Sequence, residues 1–484
     1  MIVNIEQRKG KLIVSYVNRE GNISFMQLNI PPSHQYVYVY SRSQYGSDPK
    51  MRSWDNRPVR RVPSEFLSRY RIQEFFVDAG EELVGPLFEM NNPNAYSCDI
   101  EVDVDEESGF AEPRDAMSRI NTISWSHKDQ VIVFGLKPLT SSEIKNIEED
   151  INKHLEKLGI RYSFIYKQFD NEADMLYDFL FNYARHAPLI IGWHFWNYDW
   201  RYIYNRCQKL HLDISWMSPT KQWYKHRVMD KNQRAEVMLP QHKLIVDYME
   251  LYKKWDRVID PKENMTLDWA AEATLGVSKV KYPGSFTELY RKDFDKYVFY
   301  NAIDSILVEQ IHYKLKTLGI FLGLSNITRV EAMNAFSPIY MLEATETRYA
   351  YERGLVFPQE KRERKRETYE GAFVFNPTPD LYGWVGAFDF NSLYPTIMRQ
   401  WKISIENFIT KDKNYKPNKD QIKCSSGAVF DASYEPLLPA ILTDYYAKRK
   451  QAQNMGRDAE KDLMELQKIL RDRELQVSNA LNES

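Results

Sequence analysis

Four carboxylates and a phenol stand at spacings that could gather them around divalent cations. Asp99 and Glu101 flank Ile100 in a run, 97–104, that reads as a strand. Residues two apart on a strand share a face, so both acids project together. A second apolar strand, 188–193, leads through a loop to Asp199, just before a helix over 200–210. An Asp at that place is also a common helix N-cap, and the two roles are compatible. Tyr300 and Asp304 lie four apart on one face of a helix spanning about 293–317. Each of these features is ordinary by itself. Together they offer oxygen ligands from a strand, a loop and a helix. Four converging acids would repel and raise one another's pKa values. Hard cations such as Mg²⁺ or Mn²⁺ prefer such ligands and would neutralise them. Two such ions can activate a water and stabilise a leaving 3′-oxygen in phosphodiester hydrolysis. Cys98, Cys207 and Cys424 are too far apart in the chain to suggest a zinc site or a disulfide framework, which fits a reducing compartment.

The elements needed to position these groups are legible around them. Between about 97 and 330, strands at 97–104, 119–125, 131–136 and 188–193 alternate with helical patterns at 141–158, 171–185, 200–210 and 285–318. That alternation predicts an α/β domain around a mixed sheet. Residues 1–97 read as short strands, among them 11–17 and 35–40, the first followed by an Arg-Glu-Gly-Asn turn. The stretch 330–368 is helical and ends in the basic run Lys361-Arg362-Glu363-Arg364-Lys365-Arg366. From Tyr369 a Gly- and Pro-punctuated β region begins, in which an apolar strand delivers Asp389 to its end before a turn fixed by Pro395. Residues 443–484 read as one or two long helices, with Met455-Gly456-Arg457 as the break.

Bulk properties set the outer limits. A chain of 484 residues exceeds one usual core, so about two to four domains are expected. Its net charge of −2 excludes a uniformly basic nucleic-acid binder, although a local basic groove beside an acidic site remains compatible. An aromatic content of 14% serves core packing as readily as base stacking. The start lacks a signal-peptide pattern and no window nears about 18 consecutive apolar residues, so a soluble cytoplasmic protein is expected, in the host cytoplasm if viral, with no membrane partner.

In order and spacing, Asp99-Ile100-Glu101, Asn197-Tyr198-Asp199 and Tyr300-x-x-x-Asp304 resemble the three exonuclease motifs of family B DNA polymerases. The stretches Asp247-Tyr248-Met249-Glu250-Leu251-Tyr252-Lys253-Lys254 and Leu275-Gly276-Val277-Ser278-Lys279-Val280-Lys281-Tyr282 are similar to the versions in T-even-type phages. The resemblance implies a ribonuclease-H-like 3′→5′ exonuclease over 98–330, with Asp99, Glu101, Asp199 and Asp304 holding two metals and Tyr300 orienting the attacking water. Tyr369-Glu370-Gly371-Ala372 resembles the family's Tyr-x-Gly-Gly/Ala element, so Tyr369 and Gly371 are expected to contact DNA. The run Ala387-Phe388-Asp389-Phe390-Asn391-Ser392-Leu393-Tyr394-Pro395-Thr396 resembles polymerase motif A, with Thr396 at the usual serine. By that likeness Asp389 binds the catalytic Mg²⁺ ions, the amides of Ser392 and Leu393 meet the dNTP triphosphate, and Tyr394 excludes a ribose 2′-hydroxyl. Lys448-Arg449-Lys450 resembles the fingers segment in which Arg449 would grip the triphosphate.

Motif B, motif C and the thumb are not legible. The expectation is therefore an N-terminal subunit or fragment of a replicative polymerase. It would comprise an N-terminal domain (1–97 with 331–368), the exonuclease (98–330), a palm fragment (369–440) and a fingers fragment (441–484). It would act on primer-template and single-stranded DNA and would proofread by itself. Synthesis would need a C-terminal partner carrying motifs B and C and the thumb, through which a sliding clamp could attach. A free-standing exonuclease and a non-catalytic nucleic-acid-binding regulator are the alternatives.

Overall fold

The computed structural model describes residues 1–43, 46–103, 111–230, 233–255, 264–280, 286–359, 374–390 and 392–482. The chain divides into two units, one of residues 1–35 with 75–344 and one of residues 36–74 with 345–484.

The first unit opens with an antiparallel sheet of β1 (Ile2–Arg8), β2 (Lys11–Val17) and β3 (Ile23–Asn29). Its main body is a mixed six-stranded sheet. The strands are β4 (Ala95–Val102), β5 (Ile120–His127), β6 (Gln130–Gly135), β7 (Ser163–Gln168), β8 (Leu189–Gly192) and, after a hairpin, β11 (Leu244–Asp247). Their order is β7-β6-β5-β4-β8-β11, so the strand bearing Asp99 and Glu101 is internal. It pairs antiparallel with β5, where Asp99 faces Ser124, and parallel with β8. The hairpin comprises β9 (Trp223–Asp230) and β10 (Gln233–Pro240).

Period-two alternation distributes the core over both faces of this sheet. Val131, Val133, Leu189 and Ile191 belong to one buried cluster, together with Ile147, Val298, Ala302 and Ile306. Ile132, Phe134, Ile190, Trp200 and Ile203 belong to the other. A strand buried on both faces must be apolar throughout, and Leu189-Ile190-Ile191 is.

The helices that frame the sheet are α1 (Ser141–His154), α2 (Glu172–Asp178), α3 (Asp199–Lys209), α4 (Tyr248–Trp255), α5 (Leu267–Leu275), α6 (Phe286–Lys292), α7 (Phe294–Leu315) and α8 (Thr317–Thr328). α1 starts with a capping box between Thr140 and Glu143. The helix expected over 285–318 is thus divided. It breaks at Asp293 and again at Lys316, whose φ of 54° turns the chain into α8.

In the second unit, Tyr36–Tyr40 pairs with Val59–Pro63, and a small sheet forms from Phe408–Thr410, Val429–Asp431 and Gln421–Lys423. α9 (Leu393–Gln400) packs on α10 (Leu437–Asn482). Two expectations fail here. α10 runs unbroken through Gly456 for 46 residues, because one exposed glycine weakens a helix by only about 1 kcal/mol. The strand expected to carry Asp389 is absent, and 374–390 has no regular structure. Trp384 and Phe388 in it are 99% and 98% exposed. An apolar strand needs a neighbouring strand before its backbone can pair, and among the described residues this segment has none.

Candidate active site

Asp99 and Glu101 emerge from β4, and Asp304 reaches them from α7. One oxygen from each of these three carboxylates lies within 4.8 Å of the others. Asp199 is buried beside them at the start of α3, where its Oδ1 accepts the Ile100 amide at 3.2 Å. That bond ties it to the strand between the two other acids. Asp199 is the first residue of α3 rather than its cap, and the preceding Tyr198 makes no side-chain capping bond. The capping role is not realised.

All four carboxyls are pushed above the usual carboxylate range. For Asp99 burial is the main cause, followed by the charges of Asp199, Asp304 and Glu101. For Glu101 it is burial and then Asp304. Burial lifts Asp199 to about 7 against the opposing Ile100 amide bond, and lifts Asp304 against the opposing Lys279 charge. The Asp304 side chain keeps 13% of its surface, so the cluster stays open to solvent on that side.

Lys279 supplies the compensating cation. Its ammonium pairs with the Asp304 carboxylate. Burial works against its charge, but Asp304, Asp99 and Glu101 raise its pKa above the ordinary lysine value. The Lys279 amide donates to Asp268 Oδ1 at 2.7 Å, which fixes the backbone of the segment. Asn301, the residue after Tyr300, donates its side-chain amide to Asp99 Oδ2 at 2.7 Å. Tyr300 lies one helical turn before Asp304, and burial raises its phenol. It borders a cavity of about 650 Å³ together with Lys296, Phe299, His154 and Gly276.

The loop that delivers Asp199 is pinned from several directions. Gly192 closes β8 opposite Asp247. A Cβ there would collide with the Phe195 ring and lie 2.8 Å from the Cys98 carbonyl oxygen. Asp247 is fully buried, accepts the Trp196 amide at 3.2 Å and the Met249 amide at 3.0 Å, and so joins the loop to the start of α4. The Trp196 indole donates to Ile245 O at 2.8 Å, and Asn197 donates to Met229 O at 2.9 Å. Sequence reasoning gave no role to Lys279, Asn301 or Asp247. Asp247 and Lys279 lie in the stretches 247–254 and 275–282 and Asn301 inside the third motif, but only tertiary contacts show what each side chain touches.

In the second unit the expected nucleotide-facing residues come partly together. Ser392 has a φ of 53° and precedes α9, whose first residues are Leu393 and Tyr394. Arg449, on α10, donates from Nη1 to Ser392 Oγ at 3.2 Å. Arg399 donates to Thr443 Oγ1 at 3.0 Å and helps hold α9 against α10. Asp389 lies in the exposed segment and joins no cluster of acids among the described residues. Tyr369 and Gly371 lie outside the described residues, as does the basic run 361–366.

Comparison with known proteins accords with both regions. The DNA polymerase family B exonuclease domain matches residues 77–255, and DNA polymerase family B matches residues 344–476. The chain is 29% identical over 381 residues to a DNA-directed DNA polymerase of Escherichia phage RB69, covering 73% of this chain and 41% of that protein. It is 26% identical over 486 residues to a DNA-directed DNA polymerase of Enterobacteria phage T4, covering 93% and 53%. A DNA polymerase 1 of Sulfurisphaera ohwakuensis is 26% identical over 432 residues, covering 80% and 45%. The chain spans about half the length of these relatives. With two models of one family matching in consecutive order, the chain belongs to family B of the DNA polymerases.

Proposed function

We propose that this chain is the N-terminal part of a replicative family B DNA polymerase and that its first unit removes nucleotides from DNA 3′ ends as a ribonuclease-H-like proofreading exonuclease. The observation that carries the reading is the meeting of Asp99, Glu101 and Asp304 within 4.8 Å, with every carboxyl shifted upward. Such a cluster is costly unless cations neutralise it, and its donors are all hard oxygens, which fit Mg²⁺ or Mn²⁺. Asp99, Glu101, Asp199 and Asp304 would hold two such ions. Bound there, the ions supply Lewis-acid activation of water and charge stabilisation at the leaving 3′-oxygen.

The remaining steps belong to the chain's own side chains. Tyr300, with its raised phenol pKa, keeps its proton and donates it in a hydrogen bond that orients the attacking water. Lys279 balances the surplus negative charge at Asp304. The substrate is single-stranded DNA or the frayed end of a primer-template.

The second unit carries half of a polymerase site. In it Asp389 would bind Mg²⁺, Ser392 and Leu393 would offer amides to the dNTP, Tyr394 would exclude ribose, and Arg449 would hold the triphosphate. Tyr369 and Gly371 would track the template. The domain limits that accompany this reading are 1–97 with 331–368, 98–330, 369–440 and 441–484. Completion would come from a C-terminal partner bearing motifs B and C and the thumb, and a sliding clamp would attach through that partner. The exposed apolar side chains of 374–390, among them Trp384 and Phe388, support this, since an apolar patch of that kind suits a covering partner. Phage relatives make the host cytoplasm the proposed place of action.

Digestion of a 3′-labelled single strand tests the exonuclease. Wild type should release nucleotides only with Mg²⁺ or Mn²⁺, and the Asp99→Ala/Glu101→Ala variant should lose at least about 100-fold in rate. Absence of release with every metal would overturn the reading.

A further inference from the structure

An asparagine is a poor choice for the interior of a helix, because its side chain competes for backbone hydrogen bonds. Asn301 nevertheless sits inside α7 with none of its surface exposed. Its neighbours on that helix include Val298, Ala302 and Ser305, all buried. A leucine would fill such a position without leaving any polar atom to satisfy. A buried amide unmatched by partners costs about 1–3 kcal/mol per group, so its presence calls for a compensating use.

The contact that Asn301 makes identifies that use. Its Nδ2 donates to Asp99 Oδ2 at 2.7 Å, across 202 residues of sequence. The NH₂ end of the amide faces Asp99, which is the orientation a metal-holding carboxylate requires, since the ionised form only accepts. Its Oδ1 is buried with no hydrogen-bond partner among the described residues. Among these, only half of the amide is satisfied, and that half holds Asp99.

From this geometry we infer that Asn301 is a positioning residue for the metal centre. Its amide locks one oxygen of Asp99 and so sets the rotamer in which the carboxylate faces Glu101 and Asp304. The inference rests on the exonuclease reading of the cluster. Asp99 stands on a strand and Asp304 on a helix, so their relative placement depends on how α7 seats against β4. Asn301 is bonded across that interface. A ligand fixed by an outer partner binds metal more tightly, and losing such a partner typically costs about 10–100-fold in affinity.

The test measures Mn²⁺ binding by calorimetry or electron paramagnetic resonance, with the full chain and without DNA. Asn301→Leu removes the donor while keeping the volume, and Asn301→Ser removes most of the reach while staying polar. Affinity is read in whichever variant keeps the wild-type melting temperature in EDTA. A fall of about 10–100-fold in Mn²⁺ affinity with unchanged melting supports the positioning role. Wild-type affinity in a folded variant overturns it while leaving the metal-site reading intact. No Mn²⁺ binding by wild type removes the site reading itself, and the inference with it. Unfolding of both variants would assign Asn301 to the fold and also overturn the proposal.

Discussion

Carboxylates that share a cation-sized space in a protein interior cannot all stay ionised without compensation, and Lys279 offsets only part of the charge. The pH dependence of stability follows. Burial lifts the Asp199 carboxyl to about 7, whereas in an unfolded chain it titrates near about 3.9. Between those values the folded chain binds a proton that the unfolded chain lacks. The contribution of this group is therefore complete below about pH 4 and is lost as pH rises through about 7. Asp99, Glu101 and Asp304 shift in the same direction. In EDTA the melting temperature should fall between about pH 4 and 7, and saturating Mn²⁺ should remove that slope. A metal-free melting temperature that stays flat or rises over this range would show that the carboxyls are not raised. Strand periodicity placed Asp99 and Glu101 on one face, but it was the resemblance to three motifs in order that joined them to Asp199 and Asp304. Lys279, Asn301 and Asp247 were not, since what a buried polar group bonds to is decided by elements far away in the chain.

At the scale of elements, β8 and the loop after it decide where Asp199 stands. Gly192 has no room for a Cβ between Phe195 and the Cys98 carbonyl. Gly192→Ala should cost about 1–3 kcal/mol in chemical denaturation. It should also lower exonuclease turnover by more than the loss of folded protein explains, because the displaced loop carries Asp199. Wild-type turnover per folded molecule would refute this account of the loop. Strong periodicity made β4, β5, β6 and β8 readable. The β9–β10 hairpin escaped notice because its Lys225, Arg227, Arg234 and Glu236 interrupt any apolar pattern. The error over the strand leading to Asp389 had the opposite origin. Its apolar character is real, but strand formation is a property of a pair, and among the described residues this segment has no partner strand. At Gly456 a conformational preference was given more weight than its magnitude warrants.

At the scale of the whole chain, the proposal predicts a division of labour. The chain alone should degrade DNA 3′ ends yet fail to extend a primer, and co-expression with a C-terminal piece bearing motif C should restore extension. Extension by this chain alone would refute the idea of a half-site. The family membership was legible from motifs in their order, whereas the cut between compact units, with 36–74 grouped with 345–484, was not. Short strands such as Tyr36–Tyr40 carry no mark of the distant residues they pack with.

The unbroken α10 has a mechanical consequence. At about 1.5 Å per residue its 46 residues make a rod of about 69 Å, with Arg449 about 18 Å from the foot. A tilt of about 10° about the foot would sweep the far tip through roughly 12 Å and carry Arg449 through roughly 3 Å, enough to part it from Ser392. A push at the tip is thus geared down about fourfold before it reaches the guanidinium, so coarse movement at one end becomes fine adjustment at the other.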